Sequence, residues 1–198
     1  MASQLEIVAQ ELRGEVTLDE LEVRPDNLNP MGFLVEEVRL WNTPLVGAYL
    51  LWMFTKGYCN RHPEGDAPIG LLHFIASAIL TSSKLAEPIS NRRDSLQSYA
   101  RGFEQDLKTD SLLGIHDRVI ARRGYTLAAI DVAISAGLLI WDTSSGKIYP
   151  REQATTSNGR QKRPRAALAR DGKKAEILGN WFSQHDLQTI AAYLKVVF

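Results

Sequence analysis

Residues 45–58, LVGAYLLWMFTKGY, would be apolar on almost every side of a helix. A helix of this kind is buried, and this one is too short to cross a bilayer. Thr43 is suited to the N-cap position before it, and Pro44 to its first turn. The segment therefore predicts a buried central helix around which the rest of the chain must pack.

The spacing of apolar residues predicts further helices in residues 67–83, 90–107, 111–124, 173–184 and 187–197. Asp66 is a suitable cap and Pro68 a suitable first-turn residue for the first of these, and Asp186 is a suitable cap for the last. With 44% hydrophobic and 23% charged residues, the chain has enough apolar material for an ordinary globular core. We therefore expect a mainly α fold.

The spacing of apolar residues changes after residue 137, from that of a helix to that of short strands. A helix is predicted to begin near Thr126 and to end at Gly137, and short strands are predicted at 138–141 and 147–149 with turn residues between them. A helix that runs directly into a hairpin is typical of a winged helix, although any helix followed by any hairpin has the same pattern. We predict a helical domain with a winged-helix-like helix-plus-hairpin unit.

The zero net charge is the sum of two oppositely charged regions. Residues 1–40 carry nine acidic and three basic residues, whereas residues 151–174 carry eight basic and two acidic ones. These regions either meet in the fold or serve different partners, and the sequence leaves both open. The predicted organisation is an acidic N-terminal arm and linker at 1–29, a helical body with the winged-helix-like unit at 30–150, a basic loop at 151–172, and a C-terminal helical pair packed on the body at 173–198.

Few residues have the spacing that chemistry requires. There is no GxxxxGK[ST] or GxGxxG motif to hold a phosphate, and the four histidines and single cysteine have no metal-ligand spacing. His73, in an apolar segment, is predicted to be a hydrogen-bonded core residue, and Cys59 to be a packing residue. We therefore predict no catalytic, cofactor or metal site, and a protein that is not an enzyme. The single cysteine and the lack of a signal peptide favour a cytoplasmic location.

Two sets of residues are candidates for contacts with partners. The basic tract predicts contacts with nucleic acid or an acidic partner through Arg160, Lys162, Arg163 and Arg165, although a solvated loop has the same composition. The helix before the hairpin lacks long polar side chains to read bases, and Asp131 would repel phosphate, so this unit is predicted to contact protein. Because binding hot spots favour aromatic residues, the predicted interface residues are Trp41, Trp141, Tyr149 and Trp181, each of which also has an ordinary core interpretation.

Three stretches carry a resemblance to a known family: NPMGFLVEEVRLWNTPLVGAYLLWMFTKGY, AISAGLLIWDTSSGKIYP and AEILGNWFSQHDLQTIAAYLKVVF. The chain resembles the middle component of three-component ABC-ATPase systems, the small subunit found with an SMC-like or Rad50-like ATPase, as in Lamassu-type defence. The most specific residues are Leu178, Gly179, Trp181 and Phe182. Family members often finish with Leu-Gly-Val, where this chain has Leu194-Lys195-Val196.

The resemblance implies a non-catalytic adaptor in bacterial antiviral defence against phages and plasmids. Such a subunit would bridge an ABC ATPase dimer and an effector, often a nuclease, and hold the effector inactive until foreign DNA is sensed. It would meet DNA, if at all, through the complex, and would need no cofactor, small-molecule substrate or membrane. The alternative is a winged-helix DNA-binding transcription regulator, based on the helix-hairpin pattern and the basic loop.

Overall fold

The fold is taken from a computed structural model, and the structure describes residues 43–90, 93, 95–105, 109–151 and 165–197. The predicted acidic arm, residues 1–29, and most of the predicted basic loop lie outside the described residues. The predicted central helix is confirmed as α1, Pro44–Arg61. Thr43 occupies its N-cap position, where its carbonyl oxygen accepts hydrogen bonds from the amides of Val46 and Gly47.

Seven more helices and one hairpin follow α1 within the described residues. The elements are α2 (Gly70–Leu80), α3 (Ser83–Ala86), α4 (Leu96–Gln105), α5 (Thr109–Ala121), α6 (Arg123–Ser135), β1 (Leu139–Asp142), β2 (Lys147–Pro150), α7 (Ala166–Phe182) and α8 (Leu187–Leu194). Strands β1 and β2 form an antiparallel two-stranded sheet directly after α6. The predicted mainly α fold with a helix-plus-hairpin unit is therefore confirmed.

The core is built around α1, which packs against α7, α6 and α2. Helices α4, α5 and α8 surround a second part of the same core, where Tyr99 is fully buried. The Tyr99 hydroxyl donates a hydrogen bond of 2.8 Å to the carbonyl of Leu85, and its ring lies 5.7 Å from the ring of Trp181. A buried tyrosine needs such an acceptor, so this bond fixes α4 against the end of α3.

Helices α1 and α7 are so close that their backbones touch. A Cβ atom added to Gly57 would lie 2.1 Å from the carbonyl oxygen of Glu176, and one added to Gly179 would lie 2.1 Å from that of Phe54. Both distances are far below van der Waals contact, and the opposing atoms belong to the backbone. The crossing of the two helices therefore requires glycine at both positions.

His73 is a core histidine, as predicted. It is fully buried on α2, its Nε2 lies 2.9 Å from Thr55 Oγ1, and its Nδ1 lies 3.3 Å from the carbonyl oxygen of Ile69. The Thr55 hydroxyl donates to the carbonyl of Leu51 at 2.7 Å, and both nitrogens of the imidazole have a polar partner. Burial lowers the pKa of His73 to about 4.

Two predicted helix starts were wrong, and both regions form hydrogen bonds with distant parts of the chain. Helix α2 begins at Gly70 rather than at Pro68, because the carbonyl of Pro68 accepts from the amide of Ile148 in β2. Helix α6 begins at Arg123, one turn before the predicted start. Thr126 is therefore no cap: it is buried inside α6, where its hydroxyl donates to Ser77 Oγ at 2.8 Å.

The C-terminal helices also differ from the prediction at their ends. Helix α7 begins at Ala166, so residues 166–172 of the predicted basic loop are helical. Gly172 lies against the Tyr49 ring of α1, and this packing has no signal in the local sequence. Asp186 caps α8 as predicted, through a 2.7 Å bond from the amide of Thr189. The helix ends at Leu194, because Lys195 is left-handed with a φ of 56°.

Candidate protein-interaction surface

Of the four predicted interface aromatic residues, two are exposed on the hairpin, one is buried in the core and one lies outside the described residues. Trp141 and Tyr149 lie on the hairpin and are 38% and 37% exposed. Trp41 lies outside the described residues. Trp181 is only 3% exposed, so its prediction as a surface contact is wrong. Its ring faces Tyr99 from the buried side of α7, and it stabilises the core instead.

The hairpin has one buried side and one exposed side. Leu139 and Ile148 are buried, whereas Ile140 and Tyr149 lie directly opposite each other across the two strands and are both exposed. Side chains directly opposite in an antiparallel pair contact each other on one face. Trp141 pairs with Ile148 and lies over the start of α2, where its Cζ2 is 3.6 Å from the position a Gly70 Cβ would take. We define the exposed pair Ile140 and Tyr149 as the hairpin surface, and Trp141 lies on the opposite face of the hairpin.

The hairpin is attached to the segment before α2. The amide of Gly70 donates to the carbonyl of Gly146 at 2.8 Å, and the amide of Ile148 donates to that of Pro68 at 3.0 Å. Lys147 also forms an ion pair with Asp66, and its hydrogen bond lowers the pKa of the Asp66 carboxyl group. Asp66 therefore holds the hairpin rather than capping α2 as predicted, and the hairpin surface is fixed relative to the helical core.

The turn between the strands is ordered by its own side chains. The Asp142 carboxylate accepts hydrogen bonds of 2.6 Å from the hydroxyls of both Ser144 and Ser145. These bonds lower the pKa of Asp142 to about 2, and the bond from Ser144 has the largest effect. Gly146 completes the turn with a φ of 68°, which favours glycine. The hairpin therefore presents its apolar side chains on a preformed support, which reduces the entropy lost on binding.

The predicted basic contacts are only partly within the described residues. Arg165 is exposed at the N-cap position of α7. Arg160, Lys162 and Arg163 lie outside the described residues, so the structure does not place the four residues together. Their contact with nucleic acid or an acidic partner stays a prediction.

The single cysteine, Cys59, is a poor candidate nucleophile. Burial, and to a lesser extent the nearby Asp66 carboxylate, raises the pKa of the Cys59 thiol to about 11. The thiol therefore stays protonated and poorly nucleophilic at neutral pH. Within the described residues, no three His, Cys, Asp or Glu side chains are grouped to hold a metal ion. In the same part of the chain, no helix is long and apolar enough to cross a bilayer.

Sequence reasoning missed several exposed apolar residues. Ile140 is 49% exposed. The alternation of side chains along a strand was a usable signal, because it puts Ile140 on the opposite face from Leu139 and Trp141. Exposed leucine and isoleucine residues on helices α5 and α6 were also missed, namely Leu113, Ile120, Leu127 and Ile134.

A family model matches residues 32–198, which is most of the chain, and its description is ABC-three component (ABC-3C) system Middle Component 3, MC3. The chain belongs to this family. The resemblance to a middle component of a three-component ABC system is therefore confirmed, and protein partners within a multi-subunit system follow from it. No curated protein and no solved structure matches the chain.

The stretch most specific for the resemblance has a structural explanation in this member of the MC3 family. Leu178, Trp181 and Phe182 are all buried, and Gly179 lies at the contact between α7 and the backbone of α1. The Leu-Gly-x-Trp-Phe run therefore packs α7 against the central helix α1 and stabilises the fold.

Proposed function

We propose that this MC3 member is a non-catalytic adaptor of a bacterial defence complex against phages and plasmids, of the Lamassu type. In this proposal it acts in the cytoplasm, joins an SMC- or Rad50-like ABC ATPase dimer to an effector nuclease, and holds the effector inactive until foreign DNA is sensed. The observation that carries the proposal is the family match across residues 32–198.

Two properties of the described residues support an adaptor over an enzyme. The hairpin surface offers apolar side chains on a rigid support, and apolar aromatic residues are typical of protein interfaces. Two groups that catalysis could use are unsuited to it at neutral pH: the Cys59 thiol has a raised pKa of about 11, and His73 is fully buried with a lowered pKa of about 4. Binding is therefore the activity that the geometry favours.

A winged-helix regulator is the second candidate function, and one arrangement favours it. Ile69, just before α2, forms a bridge with Lys147 of β2. The elements then follow in the order α1, bridge, α2, α6, hairpin, which is the order of a winged helix. Helices α3, α4 and α5 would be an insertion between its second and third helices. The exposed side of α6 carries Arg123, Leu127, Asp131 and Ile134. Arg123 is the only long polar side chain among these four, which argues against the reading of bases. We propose that the unit is a winged helix used for protein contacts.

Affinity purification of the tagged chain, expressed with and without its neighbouring genes, distinguishes these functions. We expect an ABC ATPase and a third subunit to co-purify with the chain when they are co-expressed. We also expect the isolated chain to leave duplex DNA unshifted at low salt, where phosphate contacts are strongest. Purification without either subunit, together with a salt-sensitive, sequence-specific shift of duplex DNA, would favour the regulator instead.

A further inference from the structure

An open cleft of about 500 Å³ lies along the outer side of α4, and its lining is polar. Arg93, Arg101 and Gly102 line it, together with two serines and two glutamines of α4 and of the segment before it. In the part of the chain that the structure describes, the lining therefore carries two cations and no carboxylate. We call it the arginine cleft.

The Arg93 guanidinium is held against α4 by the helix backbone. Its Nη1 donates to the carbonyl of Ser98 at 2.9 Å, with a longer contact of 3.5 Å to that of Tyr99. The guanidinium occupies space that a side chain at Gly102 would fill, since a Cβ added there would lie 2.1 Å from Nη1 and 2.7 Å from Nη2. The Nε and Nη2 atoms still carry three N–H groups that can donate to a ligand. A guanidinium positioned in advance loses less entropy when an anion binds.

Arg101 supplies the second cation of the cleft, from α4 itself. Its side chain is exposed, and Gln97 and Gln105 lie one turn before and one turn after it on the same side of the helix. No ion pair between described residues includes Arg93 or Arg101. Both guanidinium groups can therefore pair with a bound anion.

The carboxylates nearest to the cleft have cations of their own. Glu104, the acidic residue of α4, pairs with Lys195 at 3.6 Å. Glu87 lines an adjoining cleft that shares Arg93, and Lys84 lines that cleft as well and offsets its charge. These carboxylates leave the positive charge of the arginine cleft available to a ligand.

Two hydroxyl groups add hydrogen-bond donors to the cleft. The Ser95 hydroxyl oxygen accepts from the amide of Ser98 at 3.2 Å, so its own proton remains available to a ligand. The Ser98 hydroxyl also belongs to the lining. The first turn of α4 carries no acidic residue, so the positive end of the helix dipole adds to the field of the two arginines.

We propose that the arginine cleft binds a phosphate group, either as the free ion or as the phosphate of a nucleotide. Arg93 and Arg101 donate to the phosphate oxygens, and the hydroxyls of Ser95 and Ser98 complete the site. Two guanidinium charges match a phosphate dianion with several oxygens, whereas a carboxylate brings one charge and two oxygens. This inference goes beyond the proposed adaptor function and does not depend on it.

Nuclear magnetic resonance titration of the isotope-labelled full chain tests the proposal. The probes are inorganic phosphate and adenosine monophosphate, and acetate is the control anion, with ionic strength held constant because salt screens such contacts. We expect saturable shifts of the Arg93 Nε–H and Gly102 amide signals with phosphate and none with acetate. Saturation with phosphate alone identifies the free ion as the ligand, and saturation with both probes identifies a nucleotide phosphate as well. No saturable shift with phosphate, or equal shifts with acetate, would overturn the proposal.

Two double variants separate the cleft from the overall charge. Arg93→Gln with Arg101→Gln removes both cations of the cleft, and Arg118→Gln with Arg123→Gln removes the same charge from exposed positions on α5 and α6. We expect the first to bind phosphate about tenfold or more weakly and the second to keep the native affinity. An equal loss of affinity in both double variants would overturn the proposal.

Two single variants keep the test valid if loss of Arg93 unfolds the chain. Gly102→Ala retains both charges, but its methyl group takes the place of the Arg93 guanidinium, which lies at the end of a flexible side chain and can move away. Arg101→Gln changes only an exposed side chain. We expect both variants to keep the native melting temperature or to exceed it, and to bind phosphate several-fold more weakly. Native affinity for phosphate in both of them would overturn the proposal.

Discussion

Replacing Gly179 with alanine is expected to destabilise the chain by about 3 kcal/mol or more, because the new methyl group meets backbone that cannot rotate away. The added Cβ would lie 2.1 Å from the Phe54 carbonyl oxygen and 2.7 Å from the Tyr58 amide nitrogen. Alanine gains roughly 1 kcal/mol of helix propensity over glycine, which does not offset separating two packed helices. Urea unfolding measures the change in the free energy of unfolding.

Gly114 provides the matched control for this prediction. It lies inside α5, and a Cβ added there meets nothing within 4 Å. Gly114→Ala should therefore raise the free energy of unfolding by about 0.5–1 kcal/mol. If Gly179→Ala were as stable as the native chain, the close approach of α1 and α7 would be contradicted.

Acid should destabilise the fold through His73 as the pH falls from about 6.5 to about 4. Burial lowers the pKa of this imidazole from 6.5 to about 4 in the folded chain, so the unfolded chain binds the proton more readily. The stabilisation is fully present above the unfolded pKa and is lost progressively across this range. A shift of this size corresponds to about 3 kcal/mol of unfolding free energy.

His73→Gln removes the titrating group and retains a polar side chain at this position. Urea unfolding of the native chain and of this variant at pH 7 and pH 4.5 measures the acid-dependent loss in each. We expect the variant to be less stable at pH 7 but to lose much less stability on acidification. His116, partly exposed on α5, is the control, and His116→Gln should show the native acid dependence. If His73→Gln lost as much stability on acidification as the native chain, the role of His73 in acid destabilisation would be contradicted.

Local patterns predicted the elements well where burial and backbone conformation agree. The apolar run at 45–58 is the central helix α1, and Gly137, with a φ of 68°, ends the helix before the hairpin. Asp186 caps α8 as its position suggested. In these places the residue type that favours the local conformation also suits the tertiary packing, so the sequence alone was sufficient to predict the element.

Prediction was wrong where a distant contact determines the local structure. Asp66 has a side chain suited to capping a helix, but it pairs with Lys147 of strand β2 instead. The start of α7 has no apolar periodicity, yet it is helical, and its Gly172 lies against the Tyr49 ring of α1. Trp181 has the residue type of a binding hot spot, yet it is buried against Tyr99. Residue type alone does not distinguish an aromatic core residue from an interface residue.

In the function that we propose, the exposed apolar side chains Ile140 and Tyr149 of the hairpin bind a partner subunit. The most direct test of this claim is the amount of partner that co-purifies with the tagged double variant Ile140→Thr, Tyr149→Thr, which keeps strand propensity while it removes apolar area. Val197→Thr, an exposed position away from the hairpin, is the control. We expect the double variant to keep its melting temperature and to bind at least one subunit about 30-fold more weakly, as for loss of a hot spot. Native amounts of every subunit with the double variant would contradict the claim.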